Sequence, residues 1–121
     1  MFKLTIFEAL LMTHLAVDFL FQGKWEAMNK SKKWLPLFFH CTVYTVGFIP
    51  VFLIYKINLI WLILLFVSHA ILDRRKLEIW FLKNFKGVSK KDTPESLWKM
   101  LLIGSDQILH ILILVLIIIF S

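Results

Sequence analysis

Three pairs of histidine and aspartate, each four residues apart, lie in segments of the chain that are otherwise apolar. The pairs are His14 with Asp18, His69 with Asp73, and Asp106 with His110. Residues four apart lie on one face of an α-helix, one turn from each other. A fourth histidine, His40, lies in the remaining apolar segment. Imidazole and carboxylate groups converging from several helices favour a metal site.

A metal-free network of hydrogen bonds is the alternative interpretation. A single histidine in a helix is usually a packing residue, and Asp73 could pair with Arg74 at a helix end. However, an aspartate near the middle of a membrane helix costs about 2.5–3.5 kcal/mol, so Asp18 and Asp106 need compensation. Because all four histidines lie in apolar segments and three have an aspartate one turn away, we favour the metal site.

The ligand types restrict the metal. Imidazole and carboxylate without thiolate predict a divalent ion, zinc first, with manganese, iron or nickel as alternatives. The candidate ligands are His14, Asp18, His40, His69, Asp73, Asp106 and His110. Seven ligands exceed one tetrahedral shell, so either two ions bind or some carboxylates orient a histidine. Haem between paired histidines is a further alternative, which the neighbouring aspartates disfavour.

Other polar residues have weaker claims to the site. Gln22 follows Asp18 by one turn and is expected to contact a substrate or a ligating carboxylate, as are Tyr44 and Gln107. Gln107 and Ser68 are also expected to form hydrogen bonds between helices. Cys41 points about 100° away from His40, so we expect neither metal binding nor an internal disulfide from it. Glu8 lies towards the outer face and is left out.

The composition indicates an integral membrane protein. The 121 residues allow one domain, and 60% of them are hydrophobic, against about 45–50% in an ordinary soluble domain. The net charge of +6 is explained by lysines beside membrane spans, and no nucleic-acid-binding module accompanies it. Oligomerisation is left open.

The apolar segments predict an all-α fold, a transmembrane four-helix bundle over residues 1–121. A helix needs about 20 residues to cross a bilayer. The expected spans are residues 4–22, 36–55, 58–73 and 97–120. Gly47 and Pro50 are expected to bend the second span.

The segment between the third and fourth spans differs from the spans. Leu77, Trp80, Phe81 and Phe85 alternate with basic residues, which predicts an amphipathic helix in the membrane interface over residues 74–85. The alternative is a continuation of the third helix. Residues 92–95 (Asp-Thr-Pro-Glu) predict the start of the fourth helix, with Asp92 as its cap.

The basic residues predict the orientation. Four lie between spans one and two and eight between Arg74 and Lys99, so twelve of the fourteen are on one side. By the positive-inside rule this side is cytoplasmic and both termini are outside, in an inner membrane. The histidines and aspartates then lie in the cytoplasmic half of the bundle.

The spaced motifs resemble those of a known family. They are His14-x3-Asp18-Phe-Leu-Phe-Gln22, Lys30, His40, Ser68-His69-x3-Asp73 and Asp106-Gln107-x2-His110. They resemble a bacterial family of small four-span membrane proteins of unknown function. More distantly, the chain is similar to LexA-regulated inner-membrane proteins described as metal-dependent hydrolases. That second resemblance implies hydrolysis.

Three functions fit these expectations. The first is a metal-dependent hydrolase acting at the cytoplasmic leaflet on a phosphate or acyl ester, with membrane lipids around it and a lipid-like or phosphorylated substrate. Asp18 or Asp73 would be the general base. The second is metal-ion or proton transport, which the apolar outer halves of spans two to four disfavour. The third is a structural or partner-binding membrane protein.

Overall fold

Helices make up the fold, and no strand occurs in the part of the chain that the computed structural model describes, residues 3–121. The helices are α1 (Ile6–Leu15), which continues as a π-helical turn (Ala16–Leu20), α2 (Lys24–Asn29), α3 (Trp34–Gly47), α4 (Ile49–Ile54), α5 (Trp61–Asp73), α6 (Lys76–Phe85) and α7 (Glu95–Phe120). The all-α prediction is therefore confirmed.

Four apolar helical segments enclose a common core. Helix α1 packs against α7, α7 against α5, α5 against α3, and α3 against the π-helical turn. The two shorter helices are added to this ring: α2 packs on α3, and α6 packs on α5 and α7. Residues from all four sides of the ring therefore meet in its interior.

Two helical segments are long and apolar enough to cross a membrane. They are Trp34–Ile54, which comprises α3 and α4, and Glu95–Phe120, which is α7. Only 33% and 28% of their most apolar windows are buried inside the protein. Apolar side chains that point outward, such as Leu53 and Ile119, suit a lipid environment better than water. The other two expected spans are shorter helices. Helix α5 has 13 residues, about 20 Å of helix against a hydrocarbon core of about 30 Å.

The second apolar segment is interrupted where glycine and proline were expected to bend it. Helix α3 ends at Gly47 and α4 begins at Ile49, with Pro50 in its first turn. Gly47 also lies against the π-helical turn, because a Cβ atom added to it would be 2.5 Å from Val17 Cγ2. Glycine here allows the close approach of α3 to the first helix.

The corner between α5 and α6 decides between the two interpretations of residues 74–85. Helix α5 ends at Asp73, and Arg75 has a left-handed backbone with φ 63°. Helix α6 is therefore separate, and a continuous third helix is wrong. Leu77, Trp80 and Phe81 point outward. The opposite face of α6 packs on α7.

The helix start near residue 95 was predicted correctly, but its cap was not. Helix α7 begins at Glu95 after Pro94, which provides no side-chain cap. The Asp92 carboxylate instead accepts a hydrogen bond of 3.0 Å from the Ser89 hydroxyl. A capping box does occur at the start of α1, where the Thr5 and Glu8 side chains bond each other's backbone N–H groups. Glu8, which the sequence excluded from the site, has this structural role.

Candidate metal centre

Six ionisable side chains lie together at one end of the bundle core. They are Asp18, His40, His69, Asp73, Asp106 and His110. Each is at most 3% exposed to solvent. They come from the π-helical turn, α3, α5 and α7, the four sides of the ring. The equal spacing of histidine and aspartate on three helices explains why so many of them face the same interior volume.

The first group of potential ligands is Asp18, His40, His69 and Asp73. The His40 Nε2 atom lies 2.8 Å from His69 Nε2 and 3.1 Å from Asp18 Oδ1. The Asp73 Oδ2 atom lies 3.1 Å from His40 Nε2 and 3.0 Å from His69 Nε2. Two imidazole nitrogens and two carboxylate oxygens thus converge on one point, and these donors suit a divalent ion such as zinc.

The second group is Asp73, Asp106 and His110. The His110 Nδ1–H donates a 2.7 Å hydrogen bond to the backbone carbonyl of Asp106. In the neutral ring this bond leaves His110 Nε2 available as a ligand atom, and that atom lies 3.4 Å from Asp73 Oδ1. A histidine held in this way by its other nitrogen is typical of a metal ligand.

Asp73 belongs to both groups. Its Oδ2 atom faces His40 and His69, whereas its Oδ1 atom faces His110. A carboxylate shared in this way can bridge two cations, one in each group. Of the two alternatives left open by the sequence, two ions would therefore share Asp73 as a ligand.

His14 is in neither group, although the sequence placed it among the ligands. Its Nδ1 atom is hydrogen-bonded to the Tyr44 hydroxyl and its Nε2 atom to Gln107 Oε1, both at 2.8 Å. The Gln107 amide in turn donates to Asp18 Oδ2 at 3.2 Å. Because both ring nitrogens already have protein partners, His14 supports the site by holding Gln107 and Tyr44.

Tyr44 and Gln107 lie at the site, and Ser68 does not form the bond between helices that was predicted for it. The Tyr44 ring stacks on His69 with 3.8 Å between ring centroids. Gln107 connects α7 to the first helix, as expected of an interhelical bond. Ser68 instead donates to the carbonyl of Leu65 in its own helix. Gln22 lies beyond the last helical residue, Leu20, and its buried Oε1 atom has no hydrogen-bond partner within residues 3–121.

Lys30 was counted among the surface lysines but is buried at the site. Its Nζ atom lies 3.2 Å from Asp73 Oδ2, and 8% of its side chain is exposed. Helix α2 brings it there by packing on α3. The signal available in the sequence was the position of Lys30 among the spaced motifs. In the structure Glu26, four residues earlier, is also buried.

Arg74 has a different partner from the one considered in the sequence. Its guanidinium lies 3.9 Å from the centre of the Trp34 ring and donates to the carbonyl of Ser31. It therefore fastens the end of α5 to the start of α3. The neighbouring Asp73 pairs with Lys30 and the histidines instead.

Several buried polar atoms of the cluster lack a hydrogen bond within residues 3–121. They are His69 Nδ1, both oxygens of Asp73, Asp106 Oδ1 and His110 Nε2. The Asp73 oxygens and His110 Nε2 have close charged neighbours, but not with hydrogen-bond geometry. An unsatisfied buried polar group costs about 1–3 kcal/mol, so a cation contacting these atoms would stabilise them.

Comparison with known proteins identifies the family of the chain. The model of a family described as "Protein of unknown function (DUF3307)" matches residues 6–121. The chain therefore belongs to this family. No curated protein and no solved structure matches the chain. The resemblance to the LexA-regulated hydrolases remains an expectation from the sequence.

Proposed function

We propose that this member of the DUF3307 family is a membrane-embedded, metal-dependent hydrolase that acts on a phosphate or acyl ester. The observation that carries the proposal is the position of Asp73, which both groups of potential ligands share. Two divalent ions close together are typical of enzymes that hydrolyse phosphate and amide bonds. Four-helix bundles also hold ion pairs with carboxylates and histidines from facing helices.

The residues divide into ligands and helpers. His40, His69 and Asp73 would hold the first ion, and Asp73, Asp106 and His110 the second. Bound ions of this kind lower the pKa of water and polarise the ester oxygen. Asp73 suits a ligand better than a base because it is shared. Asp18 is then the proposed general base, oriented by the Gln107 amide at 3.2 Å.

The membrane placement extends the finding of two long apolar helices. We infer that the shorter helices α1 and α5 also enter the bilayer, which gives a four-helix transmembrane bundle. Twelve of the fourteen basic residues then lie at the cytoplasmic side, and both termini lie outside. Enzyme reporters fused after Ser121 and within residues 87–91 test this orientation. A reporter that is active in the cytoplasm after Ser121 would overturn it.

The surroundings of the site favour an anionic, lipid-like substrate. A groove of about 660 Å³ lies where α5 meets α6, lined by Trp34, Ala70, Ile71, Arg74, Lys76 and Leu77. Its apolar residues suit an acyl chain and its cations suit a phosphate or carboxylate head group. Arg74, which lines this groove, directly follows Asp73 of the cluster in the chain.

The test combines metal content with turnover. Protein purified in detergent without added metal should contain a divalent ion by elemental analysis, and it should hydrolyse lipid-linked phosphate or acyl esters until a chelator is added. Asp18→Asn should abolish turnover but retain the ion if Asp18 is the base. Asp92→Asn is the control, because Asp92 is exposed and bonds only to Ser89. Metal-replete protein that cleaves no ester in a broad panel would contradict the hydrolase.

Metal-ion or proton transport is a second candidate because the cluster is so deeply buried. None of its six residues is more than 3% exposed, which is unusual for a group that must meet a substrate. Reconstituted vesicles with a metal-dependent ion flux and no hydrolysis would favour transport. Purified protein that is folded but free of metal would favour a structural role for the same polar residues.

A further inference from the structure

Glu78 on α6 is fully buried and belongs to neither group of potential ligands described above. Neither of its carboxylate oxygens has a hydrogen-bond partner within residues 3–121, and no lysine, arginine or histidine in that range lies within ion-pair distance. An isolated buried carboxylate is costly unless a cation or donor compensates it. Its burial therefore needs an explanation.

The packing of α6 on α7 locates this carboxylate. Leu82, one turn after Glu78, packs against Trp98 and Leu102 of α7. Leu102 is one turn before Asp106. If the helices run antiparallel, stepping back one turn on α6 corresponds to stepping forward one turn on α7. This register places Glu78 on the side of Asp106, outside the 4.8 Å within which the ligand atoms of the second group lie.

The electrostatics of Glu78 agree with this register. Burial raises the pKa of its carboxyl group to about 7, the charge of Asp106 adds to the increase, and His110 opposes it. Asp73 raises it further. The groups that act on Glu78 are thus the three members of the second group of ligands.

We propose that Glu78 is a fourth ligand of the second ion, together with Asp73, Asp106 and His110. This inference rests on the proposed metal centre and makes its two positions chemically different. The first position has two imidazoles and the shared carboxylate of Asp73, which suit zinc. The second has three carboxylates and one imidazole, which suit a harder divalent cation such as Mn²⁺ or Mg²⁺.

The balance of charge supports a second cation. With Glu78 the cluster contains four carboxylates, namely Asp18, Asp73, Asp106 and Glu78. The Lys30 ammonium compensates one of these four negative charges, so three remain, more than one divalent ion carries. In a low-dielectric interior, a second cation therefore avoids the large cost of burying uncompensated charge.

Metal stoichiometry tests the inference. The full chain in detergent is loaded with Mn²⁺, freed of excess metal and analysed for manganese per protein. The wild type should retain two ions and give the EPR spectrum of an exchange-coupled pair. Glu78→Gln should retain one ion and give the spectrum of an isolated Mn²⁺. Asp106→Asn should have the same effect, and Glu95→Gln, at an exposed residue, should have none.

The outcomes separate the inference from the proposed function. Two ions in Glu78→Gln with unchanged affinity would overturn the role of Glu78 and leave the metal centre intact. One ion in the wild type would remove the second position but not the first, whereas a wild type without any metal would remove both. Glutamine has nearly the size of glutamate, and the elution volume in size-exclusion chromatography reports whether the variant folds. Glu78→Asp, which keeps the charge but shortens the side chain, should weaken binding of the second ion only.

Discussion

The two ends of the helix bundle are built on the same stripes of side chains but have opposite chemistry. On three helices, a buried leucine lies one turn from a buried histidine: Leu10 with His14, Leu65 with His69, and Leu114 with His110. On α3, Tyr44 lies between His40 and Phe48. Each stripe therefore passes from apolar to polar at the same level of the bundle.

The difference separates what forms the fold from what performs chemistry. At the apolar end Leu10, Phe48, Phe52, Leu65 and Leu114 belong to one hydrophobic cluster, and their packing needs no ligand. At the polar end imidazoles and carboxylates with unsatisfied atoms are buried instead. Such groups destabilise a protein unless ions or protons compensate them. Their burial at the polar end therefore indicates a functional site.

The largest expected effect separates two histidines of the polar end that are equally buried. His69→Gln should lower the retained metal by at least about tenfold, because it removes a converging ring nitrogen and even the loss of a residue that orients a ligand lowers metal affinity by about 10–100-fold. His14→Gln should retain the metal, since both nitrogens of His14 bond to protein groups. Elemental analysis of the two purified variants checks this. Equal loss of metal in both would return His14 to the ligands.

A leucine of the apolar end should show the reverse behaviour. Leu114→Ala should lower the free energy of unfolding by about 2 kcal/mol, near the lower limit for Leu→Ala because no transfer into water is involved in a membrane. The metal content should remain that of the wild type. Thermal unfolding in detergent and elemental analysis measure the two effects. Loss of metal in Leu114→Ala would mean that the two ends are not independent.

These two contrasts also show how far the sequence could be interpreted. The spacing of histidine and aspartate located five of the six clustered residues, since four-residue spacing fixes a helix face. His40, the sixth, was identified as the histidine of the remaining apolar segment. The spacing also included His14 among the ligands, because spacing alone does not show which ring nitrogens have protein partners. Lys30 and Glu78 were missed for another reason. Their positions depend on how the short helices α2 and α6 pack, which no periodicity of the apolar segments records.

Replacement of Lys30 should change the metal affinity less than His69→Gln does, and in the opposite direction. Its ammonium group lies 3.2 Å from Asp73 Oδ2 and competes with a metal ion for that oxygen. Lys30→Met should therefore tighten metal binding by about tenfold, or about 1.4 kcal/mol. Titration with Mn²⁺ in the presence of a competing chelator measures the affinity.

The control for Lys30 is an exposed pair. Lys99 lies 2.9 Å from Glu95 with 65% of its side chain exposed, and such pairs contribute little because water screens them. Lys99→Met should leave the metal affinity unchanged. If Lys30→Met weakens binding instead, the lysine orients Asp73 for the ion and does not compete with it.

The smallest effect concerns the pH dependence of the metal-free protein. The pKa of Glu78 is raised from 4.5 to about 7 in the folded chain, by burial first and then by Asp106, with Asp73 adding and His110 opposing. The folded state thus binds this proton more tightly than the unfolded state does. Its contribution to stability is present in full below about pH 4.5 and is lost as the pH rises through about 7.

Thermal unfolding in a chelator between pH 5 and 8 should therefore show a midpoint temperature that falls as the pH rises in the wild type. In Glu78→Gln the midpoint should fall less steeply with pH. The difference between the two proteins isolates Glu78 from the other ionisable groups, and Glu95→Gln should match the wild type. With Mn²⁺ present the slope should reverse, because each ligand must lose its proton to bind the ion and protonation in acid therefore releases it. Identical slopes for the wild type and Glu78→Gln in the chelator would show that folding does not raise the pKa of Glu78. Helix α6 would then contribute no ionisable group to the polar end of the bundle.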